Sequence, residues 1–431
     1  RIYDLAPAPA FNSPLRPNPD SRQVVLFSTE NLALRLGYEQ PAEALETTSG
    51  AALPIPRMFP AYLLQVVANP DETRVATITR GHFAHVWSFS TKEPLAPPLA
   101  HDFPVNRCAL NAAGSTLVVW SDKQMLSSPA LVGIWNLAET TPALKLIQPH
   151  GDLKGLDLSP GSMRLLTFSN PVLPGIGLAV AEVWNTATGE RTVAYSGHGD
   201  LIQAGCLSPD ATTVATASED HSVHVWSAET GERLGPPLLH QGPVESVVYS
   251  PDGGFLATGS ADRTARVWDL RTGEPLLNPL RHNAGVTHLE FHKSGRYLLT
   301  ASNYEARVWD LRTGEPVTDW IRSGNGSRFG PGDDCITCFT HWGQIEFFRF
   351  TPHPSLDSLD LARLVEGLWG YEMDRTRPIL RPVPPETVLA DLAARYPDLW
   401  FLQDPAHRTT SPDASQTVSA WIEAPGRSGW D

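Results

Sequence analysis

Cysteine is scarce in this chain. Its 431 residues hold four, Cys108, Cys206, Cys335 and Cys338, at irregular spacings. That excludes a disulfide framework of the kind that staples small secreted domains. Positive charge is in short supply too: 33 Lys and Arg face 47 Asp and Glu, a formal charge of −14. An acidic surface repels phosphate, which argues against nucleic acid and anionic membranes as partners. No apolar run approaches the roughly 18–20 residues of a membrane span. The first residues form neither the basic nor the apolar part of a signal peptide. The expected location is cytoplasmic, or extracytoplasmic if a transmembrane helix lies upstream in a longer protein. Kinase motifs are lacking: there is no Gly-rich phosphate loop, no His-Arg-Asp and no Asp-Phe-Gly.

Apolar side chains are present in quantity, 41% of residues with 13 Trp, enough for a substantial core. Their arrangement is periodic. Gly197–Pro316 is three tandem copies of one unit, closing on Val-His-Val-Trp226-Ser, Ala-Arg-Val-Trp268-Asp and Ala-Arg-Val-Trp309-Asp. The tryptophans are 42 and 41 residues apart, and Asp-Leu-Arg-Thr-Gly-Glu-Pro occurs at both 269–275 and 310–316. In the middle copy, Val244–Ser250 is β-branched and strand-like. Pro251-Asp252-Gly253 is a turn, since proline pre-sets φ and glycine tolerates positive φ. Phe255–Gly259 and Thr264–Leu270 are second and third strands about a tight turn at Ala261-Asp262-Arg263. Thr272-Gly273 leads to a short edge strand near Pro275–Leu280. A sheet of four strands cannot bury its own faces, so neighbouring copies must cover one another in a ring or stack.

A period of roughly 40–45 with one Trp-Asp-like pair per unit resembles the WD-repeat family. The resemblance implies an all-β propeller. Matching turns and strand closers outwards finds two ladders that agree on eight units. The turns begin at Asn18, Asn69, Asn111, Ser159, Ser208, Ser250 and His292, with a weak eighth near Gly330. The closers lie near Tyr38 and then at Trp87, Trp135, Trp184, Trp226, Trp268, Trp309 and Phe348. Eight blades are favoured. The alternative is seven, with the residues before about 60 belonging to an upstream propeller. Arg1-Ile-Tyr3-Asp4-Leu5 looks like the end of a third strand, which reads as a fragment entered mid-blade, with Tyr3 available as a borrowed closing strand.

The propeller is expected to span 1–351. A helical appendage would follow at 352–402 and a linker or tail at 403–431. Leu361, Leu364, Val365 and Leu368 keep helical spacing from about Ser355 to Trp369, and Leu389, Leu392, Ala393 and Tyr396 repeat it between Pro384-Pro385 and Pro397. The segments Leu361–Val365 and Leu392–Pro397 are similar to the tail that follows the last blade in bacterial proteins fusing a serine/threonine kinase domain to WD repeats.

His198, Thr216, Asp220 and Trp226 recur one unit later as His240, Thr258, Asp262 and Trp268. A hydroxyl, a histidine and an aspartate invite a catalytic-triad reading. Repetition favours a fold device instead, because a nucleophile is needed once and buried polar groups need partners in every unit. WD repeats use such a tetrad to tie the lead-in loop to the inner strands. The seventh unit keeps His282 and Thr300 but has a shorter turn, with Asn303 at the aspartate position. His101 and His150 keep the lead-in histidine alone. Cys335-Ile-Thr-Cys338 has redox or zinc spacing, yet on a strand positions i and i+3 face opposite ways, which makes these packing cysteines. Arg266 and Arg307 are expected between blades beside Asp or Glu.

Two enlarged turns, Ser121–Leu131 and Asn170–Leu178, should lie side by side on one face. Met125, Leu126 and Leu131 in the first and Val172, Leu173, Ile176 and Leu178 in the second make them apolar for loops. Either they pack on each other or they form a hydrophobic docking patch. The expected function is a non-enzymatic protein-interaction platform, monomeric, without cofactor or metal, in a larger bacterial signalling protein. The alternative is a propeller hydrolase or lyase with its site at the central channel.

Overall fold

The computed structural model describes residues 21–27, 32–37, 42–46, 52–54, 63–79, 83–121, 130–139, 142–161, 163–171, 177–322, 327–329, 335–339, 345–349, 371–373 and 380–382. The chain separates into two compact units, Arg1–Phe350 and Thr351–Asp431. Every regular element among the described residues is a strand. The second unit contributes one antiparallel hairpin, Tyr371–Met373 with Leu380–Pro382. The two helices expected there lie outside the described residues.

The described strands of the first unit form eight antiparallel sheets in chain order, within 21–53, 63–100, 107–147, 152–195, 202–239, 244–281, 288–322 and 328–349. They are called sheets 1 to 8 below. Sheet 6 shows the pattern. Val244–Tyr249 pairs with Phe255–Ser260, which pairs with Thr264–Asp269. The outer strand is in two short pieces, Glu274–Pro275 and Leu280–Arg281, both paired to Thr264–Asp269. Pro275 and Pro279 cannot donate to a ladder, which keeps this edge short and irregular. The first turn closes through Ser250, whose Oγ accepts from Phe255 N at 2.9 Å. Asn69 and Asn111 do the same with their side-chain oxygens for Arg74 N and Thr116 N, each at 2.8 Å. Gly253 takes φ 74° in that turn, a value open to glycine at no steric cost.

Consecutive sheets share cores, and strand alternation decides which residue joins which. In sheet 6, Leu256 and Trp268 enter a cluster with Ala215, Ala217, Val223 and Leu238 of sheet 5. Ala257, Ala265, Val267 and Leu280, one step along, enter the next with Leu289, Phe291, Leu298 and Trp309 of sheet 7. Among the described residues seven such clusters link sheets 1 to 8 in order. The Leu32, Leu34 and Leu36 face of sheet 1 therefore packs against Leu63, Val66 and Val75 of sheet 2. Side chains on the first strands add hydrogen bonds across the joints. Leu207 N donates to Asp157 Oδ2 at 2.8 Å, Cys108 N to Gln65 Oε1 at 2.5 Å and Phe329 N to Glu290 Oε2 at 3.0 Å.

Candidate functional site

The hydroxyl, histidine and carboxylate sets are the only triad-like groups that the sequence singles out, and they form in sheets 5 and 6. His240 Nδ1 meets Asp262 Oδ2 at 3.0 Å and its Nε2 meets Thr258 Oγ1 at 2.7 Å. Trp268 Nε1 donates to the same Thr258 oxygen at 2.9 Å. Asp262 also accepts from Gln241 N at 3.0 Å, which fastens the lead-in loop to the turn. His198 repeats this with Asp220 Oδ2 at 2.9 Å and Thr216 Oγ1 at 2.9 Å. Both histidine side chains are wholly buried, with 0% exposure, so neither can reach a substrate.

Electrostatics follow from burial and bonding. Burial alone would raise the carboxyl pKa of Asp262, but bonds from Thr264, Gln241 and His240 outweigh it and hold the group at about 2. Asp220 is held low in the same way by His198, Ser222 and Gly199 against the effect of burial. Burial lowers the pKa of His240, although Asp262 opposes it.

Trp226 departs from the expected set. Its Nε1 is buried without an acceptor, while its ring stacks on Tyr195 at 5.1 Å and 13°. His224, two residues before it, stacks on His198 with centroids 4.0 Å apart, and its Nδ1 meets Tyr195 OH at 2.7 Å.

The other sheets solve the same problem with different residues. Trp87 Nε1 donates to Thr77 at 3.1 Å and Trp184 Nε1 to Thr167 at 2.9 Å. These hydroxyls sit opposite the residue two before the tryptophan, as Thr258 sits opposite Arg266. That register made them findable in the sequence, although the enlarged turn hides Thr167. In sheet 3 the position holds Val119, opposite Gly133, and Trp135 Nε1 reaches His101 Nε2 directly at 2.9 Å. In sheet 4 the enlarged turn removes the aspartate, and Glu182 from the third strand replaces it. Fully buried, Glu182 accepts from His150 N at 2.9 Å, meets His150 Nδ1 at 2.6 Å and pairs with Arg191 at 2.6 Å. In sheet 7 Glu305 accepts from Asn283 N at 3.2 Å and from Asn283 Nδ2 at 3.1 Å.

Arg307 stands beside Asp319, Glu305 and Glu315, as expected, and both arginines also lie over tryptophan rings. Arg266 lies 5.9 Å from the Trp268 ring, and Arg307 lies 5.1 Å from Trp309 and 4.5 Å from Trp320. An indole face attracts a guanidinium. Leu131 is half-buried and packs against the edge of the core between sheets 2 and 3. Leu178 is 63% exposed, while Met125, Leu126, Val172, Leu173 and Ile176 lie outside the described residues. Asn170 belongs to the second strand of sheet 4 and clamps Ile202, donating to its oxygen at 3.0 Å and accepting from its nitrogen at 2.9 Å. Cys338 is buried in the core shared by sheets 7 and 8. Among the described residues no group of three or more His, Cys, Asp or Glu is placed to hold a metal ion, and no helix is long and apolar enough to cross a membrane.

Residues 189–227, 238–269 and 273–310 match the WD domain, G-beta repeat family. These segments run through sheets 5, 6 and 7, which carry the tetrads and the seventh unit's variant of them. No curated protein matches the chain. Among solved structures, the crystal structure of the computationally designed Ika8 protein is similar in fold, with a TM-score of 0.59 and 17% identity over 78% of this chain and 98% of that one. Among the described residues the fold is all-β, a succession of antiparallel sheets, mostly four-stranded, of the kind a WD-repeat propeller is built from.

Proposed function

We propose that the chain is a non-enzymatic protein-interaction platform, an eight-bladed propeller spanning 1–351 with a helical appendage at 352–402 and a tail at 403–431. One observation carries the reading: the hydroxyl, histidine and carboxylate sets that could perform chemistry are consumed by bonds inside the sheets, with His198 and His240 wholly buried. What remains for function is the outer surface of the sheets, and WD repeats generally serve protein interaction. The similarity of the tail to bacterial kinase fusions supports a cytoplasmic signalling parent in which this part, a monomer, docks substrates or senses partners.

The docking patch is assigned to Met125, Leu126, Leu131, Val172, Leu173, Ile176 and Leu178. Stiffening by Pro171 and Pro174 lowers the entropy lost on binding. Leu173→Asp with Ile176→Asp should abolish capture of a crosslinked partner from native lysate without lowering the melting temperature. A double variant that captures the partner as before removes the patch. Measurable turnover or stoichiometric metal in the purified chain overturns the platform reading itself.

A further inference from the structure

In sheet 7 the histidine keeps its hydroxyl partner and loses its carboxylate. His282 is 7% exposed, and its Nε2 lies 2.8 Å from Thr300 Oγ1. Trp309 Nε1 donates to that oxygen at 2.7 Å. The Thr300 hydroxyl can turn to His282 Nε2 or to Arg307 O at 3.3 Å, and the imidazole is the nearer acceptor. A carboxylate at Nδ1 selects the form in which Thr300 donates to Nε2 and the neutral ring carries its proton on Nδ1. That Nδ1 is buried and has no partner. The same atom meets Asp220 in sheet 5 and Asp262 in sheet 6. Here the turn is one residue shorter, and both Glu305 oxygens are engaged by Asn283.

Arginines border the site although the chain carries a formal charge of −14, and Asp319, Glu305 and Glu315 stand around one of them, Arg307. Arg281 directly precedes His282, and Arg263 O accepts from His282 N at 2.9 Å. Both arginine side chains are exposed and neither makes an ion pair with a described residue. Arg307 lies against Trp309 and Trp320, and Trp320 in turn packs 5.0 Å from the His282 ring. Tyr304, in the shortened turn, is 66% exposed.

We propose that this corner of sheet 7 binds an acidic side chain of a protein partner, whose carboxylate takes the place at His282 Nδ1 that Asp220 and Asp262 fill in sheets 5 and 6. Arg281 and Arg263 attract and flank the incoming group, as exposed guanidinium groups do for carboxylates. Because Nδ1 is shielded from solvent, docking moves the turn that bears Tyr304. An asparagine side chain presents the same shape without the charge and binds far more weakly. The proposal rests on the platform reading and names one contact for it.

The test uses the full chain with its histidines labelled with nitrogen-15. N-acetyl-aspartic acid amide is titrated against N-acetyl-asparagine amide, with sodium acetate as a separate arm. The aspartyl probe should shift the His282 ring nitrogens to saturation and leave those of His198 and His240 in place. The asparaginyl probe should shift none of them. Arg281→Glu, an exposed change outside the core, should weaken the aspartyl probe at least tenfold. No shift at His282, equal shifts at all three histidines, or unchanged binding to Arg281→Glu overturns the site. Acetate binding as tightly as the aspartyl probe assigns the corner to free carboxylates and overturns the partner. Failure here leaves the platform reading standing, since that reading is decided by turnover, metal content and partner capture.

Discussion

Tyr195 lies flat on Trp226, 5.1 Å away at 13°, and where they meet the indole nitrogen has lost the hydroxyl acceptor that Trp268 retains in the next sheet.

The first prediction follows from that contrast. Trp226→Phe and Trp268→Phe remove similar apolar area, but only the second removes a hydrogen bond. Trp268→Phe should cost about 1 kcal/mol more than Trp226→Phe. Chemical denaturation of the two variants measures it, and equal costs would show that Trp268 gains nothing from Thr258.

Removing the clamp carboxylate should be costly. Asp262→Ala leaves His240 Nδ1 and Gln241 N without their acceptor, at about 1–3 kcal/mol. The melting temperature should fall clearly. A thermal transition that stays in place would show that these bonds contribute little here.

Acid should weaken the fold in a defined window. Burial lowers the pKa of His282 and of His288 from 6.5 to about 4, with Arg307 and Arg328 adding to the effect in turn. The unfolded chain therefore binds more protons than the folded one between those values. Stability is full above pH 6.5 and falls as pH drops towards 4, by about 1–3 kcal/mol for each histidine. His288→Gln should flatten the decline in a series of urea melts from pH 7 to 4. A decline as steep as that of the parent chain would assign it to other groups.

Asp157 should act in the opposite sense. Burial pushes its carboxyl up to about 6, against the bonds from Leu207 and Leu158. A raised carboxyl favours the folded state at low pH, and that contribution fades as pH rises from 3.8 through 6. Asp157→Asn keeps an acceptor for Leu207 N and never ionises. Relative to the parent chain it should therefore gain stability between pH 5 and pH 7.5. A difference that does not change with pH would mean that Asp157 titrates normally.

The repeat spacing, the turn chemistry, the strand alternation and the His-Thr-Asp sets of sheets 5 and 6 were open to reading in the sequence. Each rests on residues close in the chain, or one period apart, whose geometry the backbone repeats. The same register would have found Thr77. What only the tertiary structure decided is which side chain takes over when a unit loses its standard residue. Glu182 reaches His150 from a different strand, Trp135 bonds His101 directly, and Trp226 stacks on Tyr195 of the preceding sheet without bonding Thr216. The two hydrogen bonds among these depend on distances of 2.6 and 2.9 Å between residues 32 and 34 positions apart. Packing between neighbouring sheets sets such distances, and no local pattern encodes them.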